Sequence, residues 1–261
     1  MTTSDRRLWT RHELLVAFGL YCQMPFGKLH AANPKVKHFA ALLGRTPSAL
    51  AMKLTNIASL DPAVTTTGRK GLTGASAADR RMWVEMQNDW RRFAAESEEA
   101  IESIANNAAP IASADDLAPE EREYGGRDIP VQTTARLGQR FFRRAVLSAY
   151  NYRCCITGLA VPALLIASHI VPWRDDQSNR LNPRNGLALS ALHDRAFDLG
   201  FITVDENLSV RVSREGAGAS DRFYADALLR YEGQQIALPE KFPPDEHFLA
   251  YHRSHVFLDS L

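Results

Sequence analysis

A chain of 261 residues with 45% hydrophobic side chains can bury the cores of two modest domains, which excludes a disordered or fibrous protein. No apolar run approaches the roughly 20 residues that span a bilayer, and the opening MTTSDRRLWT lacks the apolar core of a secretory leader, so a soluble, cytoplasmic chain with no membrane contact is expected. Three cysteines, Cys22, Cys154 and Cys155, suit neither a disulfide framework nor a CxxC zinc knuckle, and a formal net charge of +1 by itself argues against a polyanionic partner.

The distribution of charge reverses that last inference. Residues 1–92 carry 14 basic and 6 acidic side chains, a net of +8, and residues 93–125 carry 1 and 9, a net of −8. Residues 126–200 carry 10 and 5, a net of +5, and residues 201–261 carry 6 and 10, a net of −4. Two basic blocks separated by an acidic one can meet a phosphate backbone, although ordinary surface variation gives similar patterns.

Thr10, followed three residues later by Glu13, has the form of a capping box, and LLVAFGLYCQM behind it has helical spacing, which predicts a helix over 11–23. After the Asn33-Pro34 start signal, VKHFAALLG reads as a second helix closed by Gly44. Thr46-Pro47-Ser48 then launches SALAMKLTNIASL as a third. Helix, glycine-containing turn, helix is the pattern of a helix-turn-helix, whose second helix would project Arg45, Ser48, Lys53 and Asn56 toward base edges. A plain helical hairpin with a wetted polar face has the same pattern. The loop TTTGRKG offers Arg69 and Lys70 to phosphates, or is simply surface. A last helix over about 76–105 places Met82, Trp83, Met86, Trp90 and Phe93 at spacings that suit core packing better than base stacking.

Composition then changes. The stretch NNAAPIASADDLAPEEREYGGRD has no sustained period and reads as an acidic linker over 106–130, between a helical basic domain (1–105) and a second domain (131–261). The second domain opens with a helix at GQRFFRRAVLSAY, with Phe141, Val146 and Tyr150 on one side and Arg140, Arg143 and Arg144 on the other. Strand-like LAVPALLIASHIVPW and GLALS follow, then a helix at ALHDRAFDLG, the alternating hairpin FITVDENLSVRVS and a closing helix at DEHFLAYHRSHVF. The fold class is therefore α+β.

Of eight histidines, His169 and His193 stand in a specific frame: SHIVPW around His169, fifteen residues to Asn185 in NPRNGLALS, and seven more to His193 in LHDRAFD. This string resembles the HNH nuclease family over roughly 136–258. It is most like a bacterial branch described as restriction endonucleases and also found in anti-phage effectors. The block WTRHELLVAFGLYCQMPFGKLH with GRTPSALAMKLTNIASLDP is similar to the front domain of the same branch.

The resemblance implies a ββα-metal domain that hydrolyses a phosphodiester with one divalent cation, Mg²⁺ or Mn²⁺. His169 would be the general base, because an imidazole titrates near the working pH, and the metal would stabilise charge on the phosphate and leaving oxygen. Asn185 would brace the loop that orients the base, and His193 would bind the metal. One of Asp194 and Asp198, four apart on one helix face, would complete the site, with Asp198 preferred because Asp194 could instead cap its helix. Two departures stand out. Ser168 occupies the place where many members carry an acidic or imidazole ligand, and no structural zinc is expected, since Cys154 and Cys155 have no second pair. Packing from Leu164, Leu165, Leu187, Leu189 and Phe197 would replace that zinc. Arg143, Arg144, Arg174, Arg180, Arg184 and Arg195 surround the frame as a possible phosphate track.

The combined expectation is a metal-dependent DNA endonuclease of restriction or anti-phage defence, with DNA as partner and a homodimer if both strands are cut. Two alternatives stand beside it: a DNA-binding regulator with a degenerate HNH fold, and a nuclease acting on RNA or structured DNA.

Overall fold

The structure, a computed structural model, describes residues 7–66, 74–105, 133–215 and 221–258. The loop bearing Arg69 and Lys70 and the acidic linker lie outside the described residues.

Thr10 caps α1 (Arg11–Gln23) reciprocally with Glu13: the Glu13 amide donates to Thr10 Oγ1 at 3.2 Å, and the Thr10 amide donates to Glu13 Oε2 at 2.8 Å. Every residue of α1 from Glu13 onward is buried, so this helix is the central post of the N-terminal half. Asn33 caps α2 (Pro34–Leu42), Gly44 turns the chain in the left-handed region at φ +61°, and Thr46 caps α3 (Pro47–Ala58). The short α4 (Pro62–Thr65) follows.

Where one helix is expected over 76–105, two form: α5 (Ala77–Asn88) and α6 (Trp90–Ala105). Asp89 leaves helical geometry at φ −149°, ψ 80°, and its carboxylate accepts the Arg92 amide at 2.9 Å. An aspartate competes for backbone donors in this way, so it starts a helix more readily than it continues one. The break lets Trp90 and Phe93 turn into the core together, 6.2 Å apart edge to face.

Helix α7 (Thr133–Ala149) packs on α1 and α6, and its other side covers an antiparallel hairpin of β1 (Leu165–His169) and β2 (Gly186–Ser190). In that hairpin His169 sits opposite Gly186. A Cβ at Gly186 would lie 2.5 Å from Val146 Cγ2 and 2.9 Å from Phe142 Cζ, so only glycine lets α7 approach the ribbon this closely. Ser190 ends β2 and caps α8 (Ala191–Asp198), which completes a β-β-α unit. A second hairpin, β3 (Ile202–Val204) with β4 (Val210–Val212), then α9 (Arg222–Ala227) and α10 (Glu246–His255), close the chain. Leu165, Leu187, Leu189 and Phe197 are buried as expected, whereas Leu164 is 52% exposed and supplies little of that packing.

The two halves share their buried surface. Phe93 of α6 meets Phe18 of α1 and Phe141 of α7, and Phe242 meets both Tyr21 and Trp90. Lys241 is fully buried, and its ammonium donates to the carbonyls of Tyr21, Cys22 and Met24 at the end of α1. Those oxygens have no partner within the helix, so a lysine from far along the chain caps it. Among the described residues no helix is long and apolar enough to cross a membrane.

Candidate active site

Period-two alternation along β1 puts His169 on the α7 side and Ser168 on the opposite side. The His169 ring stacks on Phe142 at 4.0 Å with only 5° between planes, and the Trp173 ring meets it edge-on at 5.3 Å. Its Nε2 is 2.8 Å from the Arg180 carbonyl. A carbonyl can only accept, so Nε2 carries the proton and a neutral His169 keeps its lone pair on Nδ1. Burial holds the pKa of His169 below the usual histidine value; the bond to the Arg180 carbonyl opposes that shift and the Arg180 charge adds to it. The result is a half-buried imidazole, neutral at neutral pH, with one nitrogen fixed and the other able to take a proton.

Asn185 is 1% exposed and ties the strand exit to the loop before β2. Its Oδ1 accepts the Val171 amide at 2.8 Å, and its Nδ2 donates to the carbonyls of Val171 (3.4 Å) and Asn179 (3.3 Å). Its own carbonyl accepts the Ile170 amide at 3.0 Å. These bonds define the loop whose Arg180 carbonyl holds His169.

His193 sits differently from the expectation. Its Nδ1 is 2.8 Å from Ser190 Oγ, its ring meets Tyr231 edge-on at 5.3 Å, and Nε2 is buried without a well-aligned hydrogen-bond partner. Burial lowers its pKa, with the Ala227 backbone opposing. No hydrogen bond or ring contact links it to His169. A helix advances about 100° per residue, so His193 points inward while Asp194 and Asp198 share the neighbouring face. Among the described residues no three His, Cys, Asp or Glu side chains gather in one place, and the expected set of His193 with Asp194 and Asp198 is not assembled. Ser190, not Asp194, caps α8. Partial desolvation raises the pKa of Asp198, against the pull of Arg195. On the strand side Ser168 is 2% exposed, and its Oγ is buried without a partner. Asp194 and Asp198 of α8 carry hard carboxylate oxygens, the donor type that suits Mg²⁺ or Mn²⁺.

The basic residues expected on DNA divide sharply. Arg45 and Lys53 do not project. The Arg45 side chain is 2% exposed and pairs with Glu13 at 3.0 Å, while Lys53 is 7% exposed and pairs with Asp79 at 2.8 Å; both lie over the Trp9 ring. Buried carboxylates on α1 and α5 pull them inward, which leaves α3 with a neutral outer face at Ser48 and Met52. Arg144 faces buried Glu98 at 3.9 Å, whereas Arg174 and Arg195 are exposed. Sequence reasoning missed Phe142 as the platform under His169. Helical spacing marks the Phe141-Phe142 pair as apolar but does not say which ring meets a strand.

Residues 154–205 match the family described as HNH endonuclease. That span runs from Cys154 through β1, β2, α8 and β3. No curated protein matches the chain. Among solved structures a similar chain is a "Modification dependent TagI restriction endonuclease", 19% identical, with a TM-score of 0.35, covering 46% of this chain and 39% of its own. This chain thus spans well under half of that neighbour. HNH nucleases generally use divalent metals. Residues 154–205 thus carry an HNH endonuclease domain.

Proposed function

We propose that this protein is a metal-dependent DNA endonuclease of restriction or anti-phage defence in which His169 is the general base. The observation that carries the reading is the seat of His169. One nitrogen is fixed on the Arg180 carbonyl, the ring is clamped between Phe142 and Trp173, and burial keeps it unprotonated. With Nε2 occupied, Nδ1 removes the proton from an attacking water. Attack on phosphorus in line with the 3′ oxygen breaks the P–O3′ bond and leaves a 5′ phosphate. Asn185 keeps the loop, and hence the Arg180 carbonyl, in register with the base. Asp194 and Asp198 would hold the cation, whose chemistry is to neutralise charge on the phosphate and the leaving oxygen.

Plasmid cleavage by purified protein with Mg²⁺, Mn²⁺ or EDTA tests this. Cleavage should need the cation, and His169→Ala should slow it about 10²- to 10⁴-fold. An undiminished rate in that variant sinks the mechanism. Parallel single-stranded DNA and RNA substrates decide the nucleic-acid class.

A further inference from the structure

Of the six arginines that the sequence sets around the nuclease frame, Arg143, Arg144, Arg174 and Arg184 meet carbonyls or carboxylates of the protein. Arg143 donates to the carbonyls of Leu165 (2.9 Å) and Pro162 (3.4 Å). Arg144 faces Glu98, Arg184 pairs with Asp245 at 3.0 Å, Arg174 is 3.4 Å from Asp175, and Arg195 is exposed to solvent on α8. Arg180 differs. Its Nε donates to the Trp173 carbonyl at 2.6 Å, and its guanidinium carbon stands 4.9 Å over the Trp173 ring. No carboxylate among the described residues pairs with it, although its charge is part of the field at His169. The acid of its own loop, Asp176, is consumed locally: its carboxylate accepts from the amides of Ser178 and Asn179 and from both of their side chains.

We propose that the Arg180 guanidinium binds a non-bridging oxygen of the scissile phosphate, a substrate contact that rests on the endonuclease reading above. A half-buried cation without a counter-ion is costly unless a ligand supplies the anion. Here the missing anion belongs near the base, because the Trp173 ring that carries the guanidinium also meets the His169 ring at 5.3 Å. The Nε bond and the tryptophan face fix the fork from two sides, so little side-chain freedom is lost when its two Nη groups meet phosphate oxygens. Charge that builds on those oxygens during attack strengthens the same contact, and it therefore acts on the rate as well as on binding.

The test uses Arg180→Gln and Arg180→Lys in the full chain. Neither removes the backbone carbonyl that seats His169. With duplex DNA whose cleavage position has been mapped on the wild type, Arg180→Gln should lower kcat about 10²- to 10³-fold, with a smaller change in KM, and Arg180→Lys should recover part of the loss. A phosphorothioate of defined configuration at that position adds a readout that a merely structural role does not move. One diastereomer should slow the wild type about 10-fold, while Arg180→Gln should be nearly indifferent to it. Cleavage by Arg180→Gln within twofold of wild type, or a full sulfur effect retained in the variant, overturns the assignment to Arg180 alone. Absence of cleavage by the wild type on every DNA overturns the endonuclease reading and this one with it.

Discussion

Two histidines near α8, His252 buried and His169 half-buried, show how environment assigns chemistry to one residue type. His252 is 1% exposed, stacked on Phe197 at 3.6 Å, and bonded at both nitrogens: Nε2 donates to the Phe197 carbonyl and Nδ1 accepts from Thr203 Oγ1. Burial pushes its pKa down to about 4, so the native state refuses a proton that the unfolded chain accepts near 6.5. Stability should therefore be complete above pH 6.5, decline as pH falls from there toward 4, and level off below. The difference of two to three pKa units corresponds to about 3 kcal/mol. Urea unfolding at pH 7 and pH 4.5 measures it, and His252→Phe should flatten the part of the decline that belongs to this ring. His169 is held below its ordinary value in the same direction, but with one nitrogen left over. The acid limb of kcat/KM should accordingly fall below the ordinary histidine range.

Among the elements, the β1–β2–α8 unit was legible in the sequence from its two strand-like segments and the helix at ALHDRAFDLG, whereas its cap was not: Asp194 was offered for that place and Ser190 holds it. What could not be read was partner identity. Periodicity gives the face of a helix, not what lies opposite, so Arg45 and Lys53 looked exposed until Glu13 and Asp79 were seen behind them. The same gap explains His193, whose inward direction depends on α9 and Tyr231. The break at Asp89 was overlooked because apolar spacing runs on across it. Gly186 offers a test at this scale. Gly186→Ala forces Val146 and Phe142 away from the ribbon, so it should cost about 1–3 kcal/mol, and it should lower activity further by moving the ring beneath His169. Thermal unfolding and single-turnover cleavage separate the two effects.

Across the whole molecule, the helical half and the nuclease half share buried rings and a buried lysine. Lys241→Met keeps most of the side-chain volume but strands the carbonyls of Tyr21, Cys22 and Met24, so a loss of about 2–4 kcal/mol is expected in denaturant unfolding. Both halves should lose it together, as a single transition seen by tryptophan fluorescence and by cleavage activity. Burial also lowers the Lys241 pKa to about 8. The unfolded chain keeps its proton to near 10.4, so, as with His252, the native state gives up its proton first, and stability should rise with pH between about 8 and 10 rather than fall. Residues 133–258 expressed alone should fail to unfold cooperatively, since Phe141 and Phe242 would lose Phe93, Trp90 and Tyr21. The basic front block also changes meaning at this scale. Part of its positive charge is internal mortar, since Arg45 and Lys53 are held by Glu13 and Asp79.

The lysine that finishes α1 enters from 217 to 220 positions later in the chain. A front module closed by its own residues could be traded between nucleases as an independent cassette. This one cannot: a chimera that imports residues 1–105 from a relative inherits an open helix end unless Lys241 and Phe242 travel with it. Recombination should therefore preserve the first helix and the tail as a pair, even though a nuclease domain lies between them.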